Sequence, residues 1–300
     1  MNTLTKNRLL APMNVLYKIS PKLELKLMYK IRTGCTLNLD HPVKYTEKIQ
    51  WIKLYGRNEL MPLCCDKYSV RAYVSSCGCG ELLNELLWEG YNPGDIPFDA
   101  LPDAFVIKVS HGSSFNIICE DKEKLNRNKT VATLNKWLKT KFLPCYGEWF
   151  YGIEKPRVVV EKYLIDQQTN ALFVYGFYCF HGEPKIIGVK VPKNNGALFN
   201  VYDVNFNIFR DVTMSYKNDL ESDIPKPKHL PEMLDYARRL SKCFIHVRVD
   251  LYYVDEKIIF GELTFTQSAG FSKILPHSFN VKMGSWLSTK DIGGVKTIRE

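Results

Sequence analysis

The residues best suited to chemistry lie in two short triplets, Arg248-Val249-Asp250 and Glu262-Leu263-Thr264. Side chains alternate between faces on an extended chain, so Arg248 shares a face with Asp250, and Glu262 with Thr264. Between the triplets run Tyr252-Tyr253-Val254, the turn-like Asp255-Glu256-Lys257 and Ile258-Ile259-Phe260. That is the pattern of a β-hairpin. A turn centred on Glu256 sets Asp250 opposite Glu262 and Arg248 opposite Thr264. One face then carries two carboxylates, a hydroxyl and a guanidinium. Carboxylates at opposing positions repel each other. A divalent cation turns that cost into a binding site, and oxygen ligands with retained water suit Mg²⁺ holding phosphates. A salt-bridge ladder on a solvated sheet face is the plainer reading of the same residues.

A second group lies upstream. Phe105 to Val109 reads as a strand with Lys108 near its end, followed by the polar turn Ser110-His111-Gly112-Ser113-Ser114 and a second strand, Asn116 to Cys119. Backbone N–H groups of such a turn can cradle phosphate oxygens while a nearby ammonium adds a point charge. No helix bearing its lysine follows the glycine, so this is not the G-x-x-x-x-G-K-[ST] loop, and an ordinary hairpin turn is the competing reading. Glu161-Lys162-Tyr163-Leu164, after three valines, could be a hinge offering backbone groups to a purine. His111 reads as an incidental loop residue.

The elements that must position these groups follow from periodicity. Residues 1–60 read as helical, with Leu23, Leu25, Leu27, Met28 and Ile31 on one apolar face and a second helix from Tyr45. Further helices are predicted from Lys67 to Tyr73, from Thr130 to Phe142 and from Leu230 to Phe244. Strands are predicted over 157–164, and a hairpin over 173–180 and 185–191 across His181-Gly182-Glu183-Pro184. Residues 192–230 are rich in Asn, Asp, Pro and Lys and read as loop. Strands and helices in this order point to α+β with antiparallel sheets.

Three hundred residues allow one large or two modest domains. The nine cysteines contain no C-x-x-C pair, and Cys77-Gly78-Cys79 is too tight for usual zinc spacing. They read as reduced thiols of a cytoplasmic chain. No signal peptide or membrane span is legible. The net charge is +9, and residues 1–32 hold seven basic side chains against Glu24 alone. That start allows a peripheral contact with a membrane at its inner face, or a merely solvated helix. Aromatic residues are not interleaved with it, which speaks against nucleic acid.

In order, Asp66-Lys67, Lys108 with Gly112-Ser113-Ser114, Glu161 to Leu164, and Arg248-x-Asp250…Glu262-x-Thr264…Gly270-Phe271 resemble the ATP-grasp superfamily. The whole chain, over roughly residues 20–290, is similar to the TupA-like ATP-grasp family of teichuronopeptide and surface-polysaccharide biosynthesis. Pro42 to Trp51, Asp66-Lys67-Tyr68-Ser69-Val70-Arg71 and Phe260-Gly261-Glu262-Leu263-Thr264-Phe265 carry that match.

The resemblance implies an ATP-grasp fold in which two antiparallel-sheet subdomains clasp ATP. A basic helical segment (1–60) would precede a lid subdomain (61–160) and a C-terminal subdomain with the metal hairpin (161–300). Lys67 and Lys108 would approach the phosphates under a lid of Gly112, Ser113 and Ser114. Glu161, Lys162, Tyr163 and Leu164 would meet the adenine. Asp250, Glu262 and Thr264 would hold Mg²⁺, with Arg248 and Lys108 acting on the transferring phosphoryl. Two departures stand out. No Rossmann-like domain precedes the core, and Val174-Tyr175-Gly176-Phe177 stands where the resemblance leads to Asp-Tyr-Lys-Phe, so a charged pair beside the nucleotide is missing.

The implied activity is a carboxylate–amine ligase. ATP phosphorylates a carboxylate, and an amine derived from a sugar or amino acid displaces phosphate to give an amide. The competing readings are a glycosyltransferase, for which Asp203-Val204-Asn205 lacks the second carboxylate, a small-molecule kinase, and a non-catalytic nucleotide-binding protein.

Overall fold

The computed structural model describes residues 9–112, 115–193, 196–222 and 224–289, and the side chains of 191–193, 196 and 197 are not described. Ser113 and Ser114 lie outside the described residues.

Two helices, α1 (Ala11–Ile19) and α2 (Pro21–Thr33), form a hairpin joined by Ser20. Ser20 caps α2 by accepting a hydrogen bond from the Leu23 N–H, with Pro21 at the first helical position. Then come α3 (Tyr45–Tyr55), α4 (Met61–Cys65) and α5 (Val70–Ser76). Glu47 holds the start of α3 by accepting from the Val43 and Lys44 N–H groups.

Strands β1 (Leu86–Gly90), β2 (Phe105–Val109), β3 (Asn116–Cys119) and β4 (Val158–Lys162) form an antiparallel sheet in the order β1-β4-β2-β3. One face, with Phe105, Ile107, Val109, Val158 and Val160, packs under α6 (Arg127–Leu138). The other face presents Lys108 and Glu161.

The second sheet has five antiparallel strands in the order β10-β9-β5-β6-β7. They are β5 (Val174–Phe180), β6 (Glu183–Lys193), β7 (Gly196–Tyr202), β9 (His246–Val254) and β10 (Lys257–Thr264). Alternation fixes their facing. Val247, Val249, Leu251, Phe177 and Ile187 are fully buried on the back, against α5 and α7 (Leu230–Ser241). Each such side chain contributes about 1.5–3 kcal/mol on leaving water. A one-residue slip would expose the whole row, so the register is strongly set.

The front of this sheet is divided. Tyr178, Phe180 and Ile186 lie under α3 and α8 (His277–Ser285), where the Tyr45 hydroxyl meets His246 Nε2 at 3.0 Å. Gly176, Gly188, Asp250 and Glu262 line an open cleft. A short pair, β8 (Thr213–Met214) with β11 (Ile274–Leu275), completes the described strands.

Four expectations are corrected. The apolar set on α2 is two faces, since Leu25 and Met28 are buried while Leu23, Leu27 and Ile31 are exposed. The helix expected from Lys67 begins at Val70, because Asp66 turns extended and its Oδ1 accepts from the Tyr68 and Ser69 N–H groups. The helix expected to reach Phe142 ends at Leu138, and Phe142 instead stacks on Tyr151 at 4.2 Å. Residues 192–230 are not all loop: β7 pairs along β6, and its buried Asn200 exchanges hydrogen bonds with the backbone of Asp219.

Candidate functional site

The hairpin β9–β10 aligns its acidic residues by an unexpected route. Its turn is the pair Asp255-Glu256, both at positive φ (48° and 61°), which pairs Val254 with Lys257. Carried on unbroken, that register would oppose Asp250 to Gly261 and turn Glu262 to the buried face. A bulge intervenes: Phe260 pairs with Leu251, the next pair is Glu262 with Asp250, and Gly261 is the extra residue. The bulge turns Glu262 and Thr264 onto the face of Asp250 and Arg248. A Cβ on Gly261 would lie 2.9 Å from the Asp250 carbonyl oxygen and 3.2 Å from the Tyr252 ring.

On that face Arg248 grips Asp250 with two bonds, Nε to Oδ1 at 2.6 Å and Nη2 to Oδ2 at 2.5 Å. Nη2 also reaches Thr264 Oγ1 at 3.1 Å and Glu262 Oε1 at 3.4 Å, and Thr264 donates to Glu262 Oε1 at 2.9 Å. The ladder read as the plainer alternative is therefore present. Burial pushes the Asp250 carboxyl up to about 6, with Arg248 pulling down and Glu262 pushing up. Glu262 itself is half exposed to the cleft.

The facing wall is basic. Lys108 and Glu161 lie diagonally across β2 and β4, and Lys108 Nζ donates to Glu161 Oε2 at 2.6 Å. Arg71 Nη1 approaches the other oxygen of Glu161 at 3.5 Å. Lys67 sits at the α4–α5 junction, where its N–H donates to the Ser110 carbonyl and its Nζ to the Gly112 carbonyl at 2.5 Å. Burial pushes the Lys67 ammonium down; Glu262 pulls it back up and Lys108 lowers it further. Lys108 and Glu161 of the first sheet and Asp250 and Glu262 of the second line the same cleft. His111 is a packing residue, buried between Phe115 and Phe142 and bonded to the Thr140 carbonyl.

One cleft of about 630 Å³ collects Lys67, Lys108, Gly112, Glu161, Arg248, Asp250, Glu262 and Thr264. Lys162, Tyr163 and Leu164 line an adjoining groove of about 660 Å³, beside the turn of the β9–β10 hairpin. The two share Leu83 and Asn84. Sequence reading missed Arg71, Glu148, Gln267 and Ser268 on the cleft walls. Ser268 and Ala269 have positive φ (50° and 52°), a conformation uncommon for such residues and concentrated at functional sites. No local pattern announces it.

Residues 47–288 match the family described as TupA-like ATPgrasp. The chain belongs to this family. Its two facing antiparallel sheets with helices at the N-terminal side are the ATP-grasp fold. No curated protein matches the sequence. Solved structures similar to it include N5-carboxyaminoimidazole synthase from Aspergillus clavatus (9% identical, TM-score 0.39, covering 68% of this chain and 44% of that one). D-alanine–D-alanine ligase from Bacillus anthracis complexed with ATP is 16% identical, with TM-score 0.44 over 75% of this chain and 65% of that one. L-amino acid ligase from Bacillus licheniformis is 13% identical, with TM-score 0.44 over 73% and 48%. The chain spans less than two thirds of the length of each.

Within this TupA-like ATP-grasp chain, the departure at Gly176 has a structural consequence. Gly176 pairs with both Asp250 and Gly188, so no side chain stands between Asp250 and β6. A Cβ there would come within 2.9 Å of both Arg248 Cδ and Asp250 Oδ1. Arg248 fills the space that a larger residue would take.

Proposed function

We propose that this chain is an ATP-dependent carboxylate–amine ligase that uses Mg²⁺. The observation that carries the reading is the placement of Asp250 opposite Glu262 on one wall of a cleft whose other wall holds Lys67 and Lys108. The donors suit the ion: Glu262, half exposed to the cleft, and the Thr264 hydroxyl are hard oxygen ligands, and Asp250, whose two oxygens accept from Arg248, would join them on release from that pair. Among the described residues no group of three or more His, Cys, Asp or Glu forms a cage. One or two carboxylates completed by water and phosphate oxygens is the usual Mg²⁺ arrangement. When bound, the ion would neutralise charge on the phosphates and on the transferring phosphoryl.

Lys67 and Lys108 supply ammonium groups to phosphate oxygens. Arg248 offsets the mutual repulsion of Asp250 and Glu262 and would add positive charge beside the transferring phosphoryl. Gly112 lines the cleft where the phosphates would lie, while Glu161, Lys162, Tyr163 and Leu164 would border the adenine. A substrate carboxylate attacks the γ-phosphorus and ADP leaves. An amine then attacks the acyl phosphate, losing a proton and expelling phosphate to give the amide. The resemblance points to carboxylates and amines derived from sugars or amino acids in surface-glycan biosynthesis.

A glycosyltransferase is disfavoured because Asp203 is spent on a turn. It accepts from the Asn205 and Asn207 N–H groups and from the Asn207 side chain. The test is mass spectrometry after incubation with Mg-ATP and carboxylate and amine pools, seeking ADP, phosphate and a new amide. Glu262→Gln is expected to abolish Mg²⁺-dependent ADP formation with the fold retained. Phosphorylated acceptor without amide would replace ligase by kinase, and near-normal turnover in Glu262→Gln would remove the metal assignment.

A further inference from the structure

The α1–α2 hairpin carries a surface that the nucleotide cleft does not use. Leu9, Val15, Ile19, Leu23, Leu27 and Ile31 are exposed by between 39% (Leu27) and 76% (Ile19). These are six of the fourteen large exposed hydrophobics among the described residues, within twenty-three consecutive positions. Their spacing orders them. Leu23, Leu27 and Ile31 recur every four residues and form one stripe of α2. Leu25, Met28 and Tyr29 on the opposite side are buried against Leu37, Leu39 and Phe271.

A second stripe runs beside the first. Lys22, Lys26 and Lys30 each precede a stripe residue by one position; Arg32 flanks Ile31 on the other side, and Lys18 adds a positive charge from α1. Lys22 is loosely paired with the exposed Asp40 at 3.5 Å, and Lys30 Nζ donates to the Gly34 carbonyl at 3.0 Å while keeping its charge. The single acidic residue of positions 9–33, Glu24, is fully buried. The exposed surface of the hairpin therefore combines aliphatic groups with an excess of positive charge, with Asp40 beside Lys22 as the carboxylate at its edge. α2 is firmly seated, with the Tyr29 hydroxyl at 2.7 Å from Thr46 Oγ1.

We propose that the α1–α2 hairpin docks this chain on the surface of a membrane rich in anionic lipid. The aliphatic stripe would enter the boundary between headgroups and acyl chains, while the lysines lay their stems along it and keep their ammonium groups among the phosphates. No described helix is long and apolar enough to cross a membrane, so the contact is peripheral. Charge complementarity selects lipid over a second copy of this chain, because two such hairpins would oppose like charges.

Co-sedimentation of the full chain with vesicles tests the proposal. Binding is expected to vesicles of phosphatidylcholine mixed with phosphatidylglycerol, to weaken with salt, and to be far weaker to phosphatidylcholine alone. Changing Lys22, Lys26 and Lys30 together to Gln should weaken binding to anionic vesicles by roughly a hundredfold. Changing Leu23, Leu27 and Ile31 together to Ser should abolish it while circular dichroism shows the fold retained, since the three side chains are largely outside the core. Leu27→Trp should show a blue-shifted emission on anionic vesicles alone. Failure of the parent chain to bind anionic vesicles, or undiminished binding by the Ser variant, overturns the proposal. So does a dimer in sedimentation velocity that the Ser substitutions dissociate in a chain without vesicle binding.

Discussion

Gly261→Ala probes the connection between the bulge and the chemistry. The added Cβ would meet the Asp250 carbonyl oxygen at 2.9 Å and the Tyr252 ring at 3.2 Å. The first is backbone in the centre of a paired strand and cannot swing aside like the end of a flexible side chain. Overpacking of this kind costs about 1–3 kcal/mol, and each kcal/mol lowers the melting temperature by roughly 2–4 °C in a chain of this general size. The larger effect should fall on the site. Relief of the contact moves Glu262 relative to Asp250, and a displacement near ~1 Å can lower a rate about a hundredfold. The assay is Mg²⁺-dependent ADP formation, with circular dichroism and the melting temperature recorded alongside. Lys257→Ala, on the exposed end of the same strand, serves as control. If Gly261→Ala melts like the parent and keeps its Mg²⁺ dependence, the bulge does not set the pairing and the reasoning fails.

Three further outcomes are expected. Arg248→Leu leaves Asp250 buried without its partner and should lower stability by about 3–5 kcal/mol in urea unfolding, with Asp250→Asn in the same chain restoring most of it but not activity; an unaffected single variant would show the pair to be unimportant. Lys108→Ala removes a charge-assisted contact of about 1.5–3 kcal/mol, so ATP affinity by calorimetry should fall roughly ten- to a hundredfold; unchanged affinity would leave Lys108 as a partner of Glu161 alone. Glu24 is fully buried, both its oxygens lack hydrogen-bond partners, and burial pushes its carboxyl up to about 8, partly offset by Lys53. The unfolded chain releases that proton near pH 4.5, so folding stability should fall as pH rises from 4.5 to about 8, by at most about 1.4 kcal/mol per unit. Glu24→Gln should flatten this slope in urea midpoints taken across the window, and an unchanged slope would contradict the assignment.

Much of the fold was legible because its signals are local. The valines of β4 and β9, the turn residues His181-Gly182 and the start of α3 depend on neighbours a few positions away. β7 was hidden because Asn200 reads as a turn residue, and its amide finds partners at Asp219 only after the chain returns. The α2 leucines misled for a similar reason. Leu23 and Leu25 look equivalent in a list of apolar positions, but the cluster that receives Leu25 contains Leu37, Leu39 and Phe271, and nothing described covers Leu23.

The amino-acid order alone supplied a hairpin with Arg248, Asp250, Glu262 and Thr264 at alternating positions, since the period of a strand is a local property. Tertiary structure decided that the carboxylates face each other through a bulge at Gly261 rather than a wider turn, because the buried row of Leu251, Val249 and Leu263 fixes which residues must point inward. It also decided that Lys67 and Lys108 stand across from them. That meeting joins segments more than a hundred and forty residues apart. It is governed by how two sheets bury their backs and leave one pair of faces open, which no window of sequence contains.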